Sequence, residues 1–281
     1  MEKLTKQYTA SLLPKRPKDA NKGTFGKVLV IAGSENYPGA AYLACVAAYR
    51  VGAGLVTLAT ISSVKIIISR KLPEVTFLSF PEVFKKLPEY DVILIGPGLG
   101  LNDQVKKLME DFCINYSNNR NKTVIDGDGL NILSKIENWW KRLNGDVVLT
   151  PHPGEMARLT GLTVDQVQSN RIDTAQTFSQ KWNKIVVLKG ANTIIASPAG
   201  EVVVSSFANP VLATAGTGDV LSGIIAGFVA QGLKLFDAAC LGVYMHGLAG
   251  EMLSKKMGDA GIVASDLLPF LPQAIHQLKS S

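Results

Sequence analysis

A glycine-rich segment before an apolar helix gives the strongest chemical signal in this 281-residue sequence. It spans residues 209–223 and places Thr217-Gly218-Asp219 directly before the apolar run Val220–Ala230. Glycines at a helix start let backbone N–H groups converge on an anion, and the helix dipole favours phosphate there. Asp219 falls in the first turn, where a carboxylate can act as a general base beside that anion. A plain turn, with Asp219 only complementing the dipole, fits the same pattern.

A second segment, Thr150–Met156, combines two prolines with a histidine and a glutamate, and it follows the apolar run Val147–Leu149. In a doubly wound sheet, ligands bind beyond the carboxyl ends of the strands. His152 and Glu155 are therefore candidates for contacting a substrate or for holding a metal through water. The competing interpretation is a proline-rich turn, with Glu155 in the first turn of the next helix.

Several other predicted strands end in glycines or acids. Glycine allows a ligand to approach the backbone closely. The recurrence of glycines and acids at successive strand ends therefore predicts one continuous cleft along an edge of the sheet. These strand ends are Gly33-Ser34, Gly96–Gly100, Asp126–Asn131 and Lys189–Thr193.

The elements that position these segments alternate between short β-branched runs and longer helical stretches, which is typical of a parallel sheet covered on both faces. The predicted strands are 28–32, 55–59, 92–95, 123–126, 147–149 and 185–188, and the predicted helices are 39–53, 102–116, 163–182, 217–231 and 235–256. After residue 188 the pattern changes to two short strands, 193–196 and 201–205, which predict a β-hairpin at the sheet edge. No linker or repeat divides the chain, so a single domain is expected from about residue 20 onward.

Composition excludes several classes of protein. Apolar residues make up 47% of the chain and charged residues 19%, which excludes intrinsic disorder. The longest uncharged apolar run near the C-terminal half, Val220–Ala230, is far shorter than the roughly 20 residues that a bilayer needs, so no membrane association is expected. The three cysteines form no CxxC pair and no zinc spacing, which favours reduced cysteines in a cytoplasm.

The net charge of +6 is concentrated at the N-terminus, where residues 1–27 contain seven Lys/Arg and two acids. We expect residues 1–20 to form a solvated basic extension rather than a nucleic-acid-binding arm, since no nucleic-acid module follows. A transit peptide is the other alternative, although Glu2 and Asp19 count against it. No GxxxxGK[ST] sequence occurs, and Gly96–Gly100 reads GxGxG, so a P-loop enzyme and a standard Rossmann dehydrogenase are both disfavoured.

Taken together, these motifs resemble the NAD(P)H-hydrate dehydratase family of the ribokinase-like superfamily. The resemblance covers about residues 20–272. It rests on the segments 22–28, 96–100, 150–156, 209–223, 241–250 and 264–269. It departs from the family at Asp126-Gly127-Asp128, where alanine usually separates the acids. The implied fold is a doubly wound, mostly parallel α/β sheet flanked by helices on both faces.

The resemblance implies a lyase that repairs the hydrated nicotinamide cofactors NADHX and NADPHX, in the S form. The family phosphorylates the ring hydroxyl from ADP or ATP with Mg²⁺ and then eliminates phosphate. The amino-acid sequence of the 150–156 motif resembles that of bacterial members, which favours ADP as the phosphoryl donor. The resemblance also implies a homotetramer and a functional link to an NAD(P)H-hydrate epimerase, which some bacterial relatives carry on the same chain.

Site residues carried over from the family fall into five groups. Asp219 is the expected base; Ala215, Gly216, Thr217 and Gly218 form the anion hole; Lys189, Gly190, Ala191, Asn192, Thr193 and Gly218 bind the nucleotide; Ala40, Ala41, Gly100, His152 and Asp219 bind the hydrate; and Glu155 holds magnesium through water. Two alternatives remain: a ribokinase-like kinase of a vitamin-precursor alcohol, which shares the first step, and a nucleotide-binding regulatory module without turnover.

Overall fold

The computed structural model describes residues 2–115, 121–143 and 145–280, and its described strands form one ten-stranded sheet. The strands are β1 (Glu2–Lys3), β2 (Lys27–Ile31), β3 (Leu55–Ala59), β4 (Thr76–Leu78), β5 (Val92–Ile95), β6 (Lys122–Ile125), β7 (Val147–Leu149), β8 (Ile185–Leu188), β9 (Ile194–Ala196) and β10 (Val202–Val204). The sheet order is β1-β10-β9-β8-β7-β6-β5-β2-β3-β4. Only the β8–β9 and β9–β10 pairs are antiparallel. The predicted doubly wound α/β class is confirmed.

The direction of winding reverses at β2, because the chain continues from β2 through β3 to β4 on one side and then crosses to β5 on the other. The carboxyl ends of β2 and β5 therefore flank the topological switch point, where open α/β sheets bind ligands. The loops that follow these two strands contact each other directly. The Gly33 N–H donates to the Pro97 carbonyl at 2.9 Å, and the Ser34 hydroxyl donates to the Gly98 carbonyl at 2.8 Å.

Helices cover both faces of the sheet. They are α1 (Lys6–Ser11), α2 (Pro38–Arg50), α3 (Ser62–Lys71), α4 (Val83–Lys86), α5 (Asp103–Asn115), α6 (Asp128–Leu133), α7 (Trp139–Arg142), α8 (Pro153–Thr160), α9 (Val164–Ser169), α10 (Arg171–Trp182), α11 (Thr217–Ala230), α12 (Leu235–Met257) and α13 (Phe270–Lys279). Alternate residues of the central strands supply two separate cores: Val28 and Val30 belong to one, and Leu29 and Ile31 to the other. Among the described residues, no helix combines the length and apolar character needed to cross a bilayer.

Helices α11 and α2 approach each other at backbone distance, because α11 presents glycines to its neighbour. A Cβ placed on Gly223 would lie 2.3 Å from the Ala44 carbonyl oxygen, and one on Gly227 would lie 2.4 Å from Val51 Cγ2. Helix α11 is buried on nearly all sides, which explains why its sequence is apolar throughout rather than amphipathic. The start of α11, where Asp219 lies, is therefore held by tight packing of the rest of the helix.

Two predicted elements differ from the structure. The predicted helix 163–182 is interrupted at Asn170, whose φ of −133° is not helical, so α9 and α10 are separate helices. The capping box between Thr163 and Gln166 is present as predicted. The predicted hairpin exists as β9–β10, but β1 pairs outside it and β4 forms the opposite edge, so the hairpin is not the outermost pair. Of the predicted helix 102–116, residue 116 lies outside the described residues.

The N-terminal segment was wrongly expected to be a solvated extension, since residues 2–11 are part of the fold. Strand β1 pairs with β10, and α1 packs against α12 and α13. Leu4 and Thr9 are buried, and the Tyr8 hydroxyl donates to Asp237 at 3.0 Å. The lysines of this segment remain exposed, so the basic charge lies on the surface while the apolar residues between them join the core.

Candidate active site

Asp219 lies in the first turn of α11, and Gly216 makes the turn that precedes it. Gly216 has a φ of 91°, a left-handed conformation that glycine adopts without strain. Among the described hydrogen bonds, the N–H groups of Gly218 and Asp219 have no protein acceptor. Free N–H groups at the start of a 14-residue helix form an anion-binding site.

The predicted anion-hole residues differ in what they can offer. The N–H of Thr217 already donates to the Thr214 carbonyl at 3.3 Å, and its hydroxyl donates to the Leu212 carbonyl at 2.7 Å. Thr217 therefore holds the turn in shape, and Gly218 supplies a free amide. Ala215 and Gly216 lie in the turn immediately before the helix.

The Asp219 carboxyl group has an unusually high proton affinity. Burial raises its pKa from 3.8 to about 7, and the negative charge of Asp126 adds to this, while Lys189 opposes it. A carboxylate that titrates near neutral pH can accept a proton from a substrate hydroxyl and later release it. The geometry and the pKa therefore both suit a general base.

Lys189 follows β8 and connects the start of α11 to the ends of the central strands. Its Nζ lies 2.6 Å from Asp126 Oδ1 and 3.7 Å from Glu155 Oε2. Burial disfavours the ammonium form, but the two carboxylates outweigh it, and the pKa of Lys189 is raised. A Cβ placed on Gly218 would lie 3.3 Å from Nζ, so the ammonium group lies beside the free amide of Gly218.

Two acids that were not assigned to the site from the sequence organise its centre. Asp126 is 1% exposed and accepts hydrogen bonds from the Thr150 hydroxyl at 2.8 Å and from Lys189. Asp128 accepts the Gly100 N–H at 2.8 Å and thereby holds the loop after β5. The sequence Asp126-Gly127-Asp128 after β6 was the signal for both acids, but it did not indicate which groups they would contact.

His152 and Glu155 form the capping box of α8. The His152 N–H donates to Glu155 Oε2 at 2.8 Å, and His152 Nδ1 accepts the Gly154 N–H at 3.0 Å. Burial, with Lys189 and Arg158, lowers the pKa of His152, so the imidazole is neutral and its Nε2 faces Glu155 Oε1 at 3.4 Å. Burial raises the pKa of Glu155 to about 7. Both side chains have a local structural role besides any contact with a ligand.

A cavity of about 370 Å³ opens on one side of the Lys189–Asp219 region. Its lining includes the predicted nucleotide residues Lys189, Gly190, Ala191, Thr193 and Gly218, together with Ser205, Phe207, Asn209, Leu212, Val243 and His246. Burial lowers the pKa of His246 to about 4, so this buried histidine is neutral. Asn192 does not line this cavity; its side chain donates to the Ser205 carbonyl at 3.0 Å and its N–H to the Phe207 carbonyl.

A second cavity, of about 660 Å³, lies at the switch point between β2 and β5. It is lined by Gly33, Ser34, Tyr37, Ile61, Ser62, Phe80, Leu99 and Gly100 among others. Of the residues predicted to bind the hydrate, Gly100 lies in this lining. Ala40 is not in this lining but lies against the loop after β5, since a Cβ on Gly98 would come within 2.7 Å of the Ala40 Cβ. Ala41 is fully buried against Gly33, and His152 lines neither cavity.

The charge balance around Asp219 suits a cation bound together with phosphate. In the part of the chain that the structure describes, no group of three or more His, Cys, Asp or Glu side chains is arranged to hold a metal. Mg²⁺ at phosphoryl-transfer sites needs only one or two carboxylates, because phosphate oxygens and water complete its shell. Burial is the main cause of the raised pKa values of Asp219 and Glu155, and the charge of Asp126 adds to it; a bound cation would oppose both effects.

The family comparison covers most of the chain. A family model described as NAD(P)H-hydrate dehydratase matches residues 28–273. A bifunctional NAD(P)H-hydrate repair enzyme Nnr of Moorella thermoacetica is 40% identical over 98% of this chain, which corresponds to 54% of that protein. The chain thus spans about half the length of such bifunctional relatives.

Two further comparisons involve proteins of similar length. An ADP-dependent (S)-NAD(P)H-hydrate dehydratase of Neisseria meningitidis is 36% identical over 90% of this chain and 86% of that protein. The crystal structure of an ADP/ATP-dependent NAD(P)H-hydrate dehydratase of Bacillus subtilis, co-crystallised with ATP and Mg²⁺, superposes with a TM-score of 0.88 at 31% identity. That superposition covers 99% of this chain and 98% of the other.

Proposed function

This chain belongs to the NAD(P)H-hydrate dehydratase family, and we propose that it is a hydro-lyase that converts (S)-NADHX and (S)-NADPHX back to NADH and NADPH at the expense of a nucleotide. The family assignment made from the sequence motifs is confirmed. The names of the Neisseria and Bacillus proteins support the activity, since both proteins match this chain over most of their length.

The observation that carries the proposal is the position of Asp219. Its carboxyl group, with a pKa of about 7, adjoins free helix-start amides and lies near the Lys189 ammonium. One cavity includes Lys189 and Gly218 in its lining, and the other opens at the switch point. Asp219 itself lines neither cavity. A base beside free helix-start amides and an ammonium group, both of which border a cavity, suits phosphoryl transfer from a nucleotide to a hydroxyl.

In the first step, the ring hydroxyl of the hydrate attacks the terminal phosphorus of the nucleotide. A bond forms between the hydroxyl oxygen and phosphorus, the bond to the bridging oxygen breaks, and AMP leaves when ADP is the donor. Asp219 accepts the hydroxyl proton. The amides of Gly218 and Asp219, with Lys189, stabilise the negative charge on the transferred group. Bound Mg²⁺, held by phosphate oxygens and through water by Glu155, would neutralise further charge.

In the second step, the phosphorylated hydrate eliminates phosphate. The lone pair of the ring nitrogen expels the phosphate group as the carbon–oxygen bond breaks, and loss of a proton from the neighbouring ring carbon restores the reduced ring. Phosphorylation is necessary because hydroxide is a far poorer leaving group than phosphate. The overall products with ADP are the reduced cofactor, AMP and inorganic phosphate.

The test is incubation of purified protein with NADH hydrate, Mg²⁺ and either ADP or ATP. Recovery of the near-ultraviolet absorbance of reduced nicotinamide, with stoichiometric release of inorganic phosphate, is the expected result, and ADP is the expected better donor. A kinase of a vitamin-precursor alcohol would instead leave a stable phosphate ester and release no phosphate. A regulatory nucleotide-binding module would bind ADP and turn over neither compound.

We also propose a homotetramer in the cytoplasm that works alongside an NAD(P)H-hydrate epimerase. The bifunctional repair enzyme of Moorella supports the epimerase link, and the three buried, unbridged cysteines fit a reducing compartment. Light scattering that gives a mass near the 30.1 kDa of a single chain at micromolar concentration would contradict the tetramer.

A further inference from the structure

Arg171 occupies a position that is electrostatically unfavourable for a cation. It is the first residue of α10, where the helix dipole presents positive charge. Among the described residues, no carboxylate forms an ion pair with it, and its Nε is buried without a hydrogen-bond partner. Burial accordingly lowers the pKa of its guanidinium. An arginine in this position needs a compensating interaction.

That interaction is with the backbone of the loop after β8. The Arg171 guanidinium donates to the carbonyl oxygens of Leu188 at 3.2 Å, Lys189 at 3.3 Å and Ala191. Three carbonyls within four residues are thus held by one side chain. The interruption between α9 and α10 at Asn170 is what places Arg171 at the start of a helix, within reach of this loop.

The carbonyl of Lys189 shares its peptide plane with the N–H of Gly190. In a trans peptide these two groups point in opposite directions, so fixing the carbonyl on Arg171 turns the Gly190 N–H away from it. Among the described hydrogen bonds, this N–H has no protein acceptor. Gly190 has a φ of 139°, and a Cβ on it would lie 2.9 Å from Arg171 Nη2, so only glycine lets the guanidinium approach so closely.

The loop separates Arg171 from the 370 Å³ cavity. Lys189, Gly190 and Ala191 line that cavity, whereas Arg171 lines a different depression together with Asn192. We propose that Arg171 is a positioning residue for the nucleotide phosphates. Arg171 lies on the side of the loop that faces away from the cavity, and its hydrogen bonds orient the Gly190 amide, and the backbone that carries Lys189, toward a phosphate oxygen in the cavity. This inference rests on the proposed function, because it takes the cavity to be the nucleotide site.

The experiment measures ADP binding by calorimetry in the wild type, Arg171→Ala, Arg171→Lys and the control Arg16→Ala. Arg16 also donates to a backbone carbonyl, that of Gly52, but it lies outside both cavities and the acidic centre. We expect Arg171→Ala to weaken ADP binding about 10-fold or more, Arg171→Lys to lose less, and Arg16→Ala to bind as the wild type does. In turnover, the KM for ADP should rise while the KM for the hydrate stays within about twofold.

Thermal unfolding of each variant separates positioning from stability. If Arg171→Lys folds where Arg171→Ala does not, it decides, because lysine keeps the charge but lacks the planar guanidinium whose spread donors reach separate carbonyls. Unchanged ADP affinity in the folded variant, or an equal rise in both KM values, would overturn the inference. A wild-type protein that binds no ADP or ATP at all would instead refute the proposed function, so the two failures are distinguishable.

Discussion

The Lys189 ammonium lies 2.6 Å from the Asp126 carboxylate, and the two residues follow strands that are separated in the sheet by β7. This ion pair keeps Lys189 charged in a buried position and satisfies Asp126. Asp219 has no such direct partner among the described residues, and its pKa is set mainly by burial and by the neighbouring acids. The pair thus fixes which of the buried carboxylates remains available as a base.

Replacement of Asp219 by Asn is expected to reduce turnover by about 10²–10⁴-fold, because an amide cannot accept the hydroxyl proton. ADP affinity should change by less than about threefold, since the backbone amides of the helix start remain. Steady-state kinetics and calorimetry check both parts. Asp237→Asn, which removes an acid from the first turn of α12, is the matched control and should retain activity. Turnover within threefold of the wild type in Asp219→Asn would exclude Asp219 as the base.

The same substitution is expected to stabilise the free protein at alkaline pH. The pKa of Asp219 is raised from 3.8 to about 7 on folding, so ionising it in the folded state costs free energy at any pH above about 4. That cost is greatest above pH 7, amounts to at most about 4 kcal/mol, and disappears as the pH falls towards 4. Urea unfolding at pH 8 and at pH 5 should show a larger gain for Asp219→Asn at pH 8. An equal gain at both pH values would contradict the raised pKa.

Turnover is expected to rise with pH through a midpoint near 7 and then level off, because the base must be deprotonated. Lys189→Met should move this midpoint to higher pH, since the ammonium lowers the pKa of Asp219. Lys184→Met is the matched control: Lys184 is also buried, but it lies just before β8, at the end of the strand opposite Lys189. The pH profile of kcat/KM, which reports the pKa of the free enzyme, checks this, and a midpoint shifted equally in both variants would show that the effect is not specific to the site.

The assignment of residues to the nucleotide and to the hydrate, which for His152 rests on the family resemblance, predicts that substitutions separate by ligand. Ala191→Phe should chiefly raise the KM for the nucleotide, because Ala191 lines the 370 Å³ cavity. His152→Ala should raise the KM for the hydrate by the factor that corresponds to the loss of one polar contact, roughly 1–3 kcal/mol of binding free energy. It should also lower Tm, because it removes the cap of α8. His152→Asn restores a capping side chain, so it should recover Tm without recovering the KM. If His152→Ala loses ADP affinity as strongly as Ala191→Phe does, the assignment of ligands to the two sides is wrong.

Gly223→Ala is expected to destabilise the protein by more than about 2 kcal/mol, since the added methyl group would meet the Ala44 carbonyl at 2.3 Å. Gly39→Ala adds the same methyl group in the first turn of α2, where nothing lies within 4 Å, and should leave stability unchanged or slightly higher. Chemical unfolding of both variants checks this pair. Equal stabilities would mean that α11 and α2 are not closely packed in solution.

The positions of most strands were predictable because they follow from short local patterns in the sequence. Apolar runs ending in glycine identified β2, β5 and β8, and their carboxyl ends do meet at one edge of the sheet. The Thr217-Gly218-Asp219 sequence identified the start of α11. The family resemblance added the reaction, which composition and spacing alone could not supply.

What the sequence did not reveal depends on contacts between distant residues. Asp126 pairs with Lys189, which lies 63 positions away in the sequence. Arg171 donates to three carbonyls in a segment whose sequence pattern indicates only the end of a strand. The break at Asn170 was missed because the helical pattern of the sequence continues through it. The incorporation of residues 2–11 into the sheet depends on β10, about 200 positions away.

The close contact of α11 with α2 has a consequence for the chemistry as a whole. The start of α11 carries the proposed base, and the start of α2 adjoins the second cavity, so donor and acceptor sites are carried by one rigid pair of helices. Their relative geometry is set when the chain folds, before either ligand arrives, and little ordering entropy is lost on binding. Closure of a site on its substrate provides discrimination against water, and two sides that are fixed by helix packing provide less of it. We therefore expect slow nucleotide hydrolysis in the absence of the hydrate.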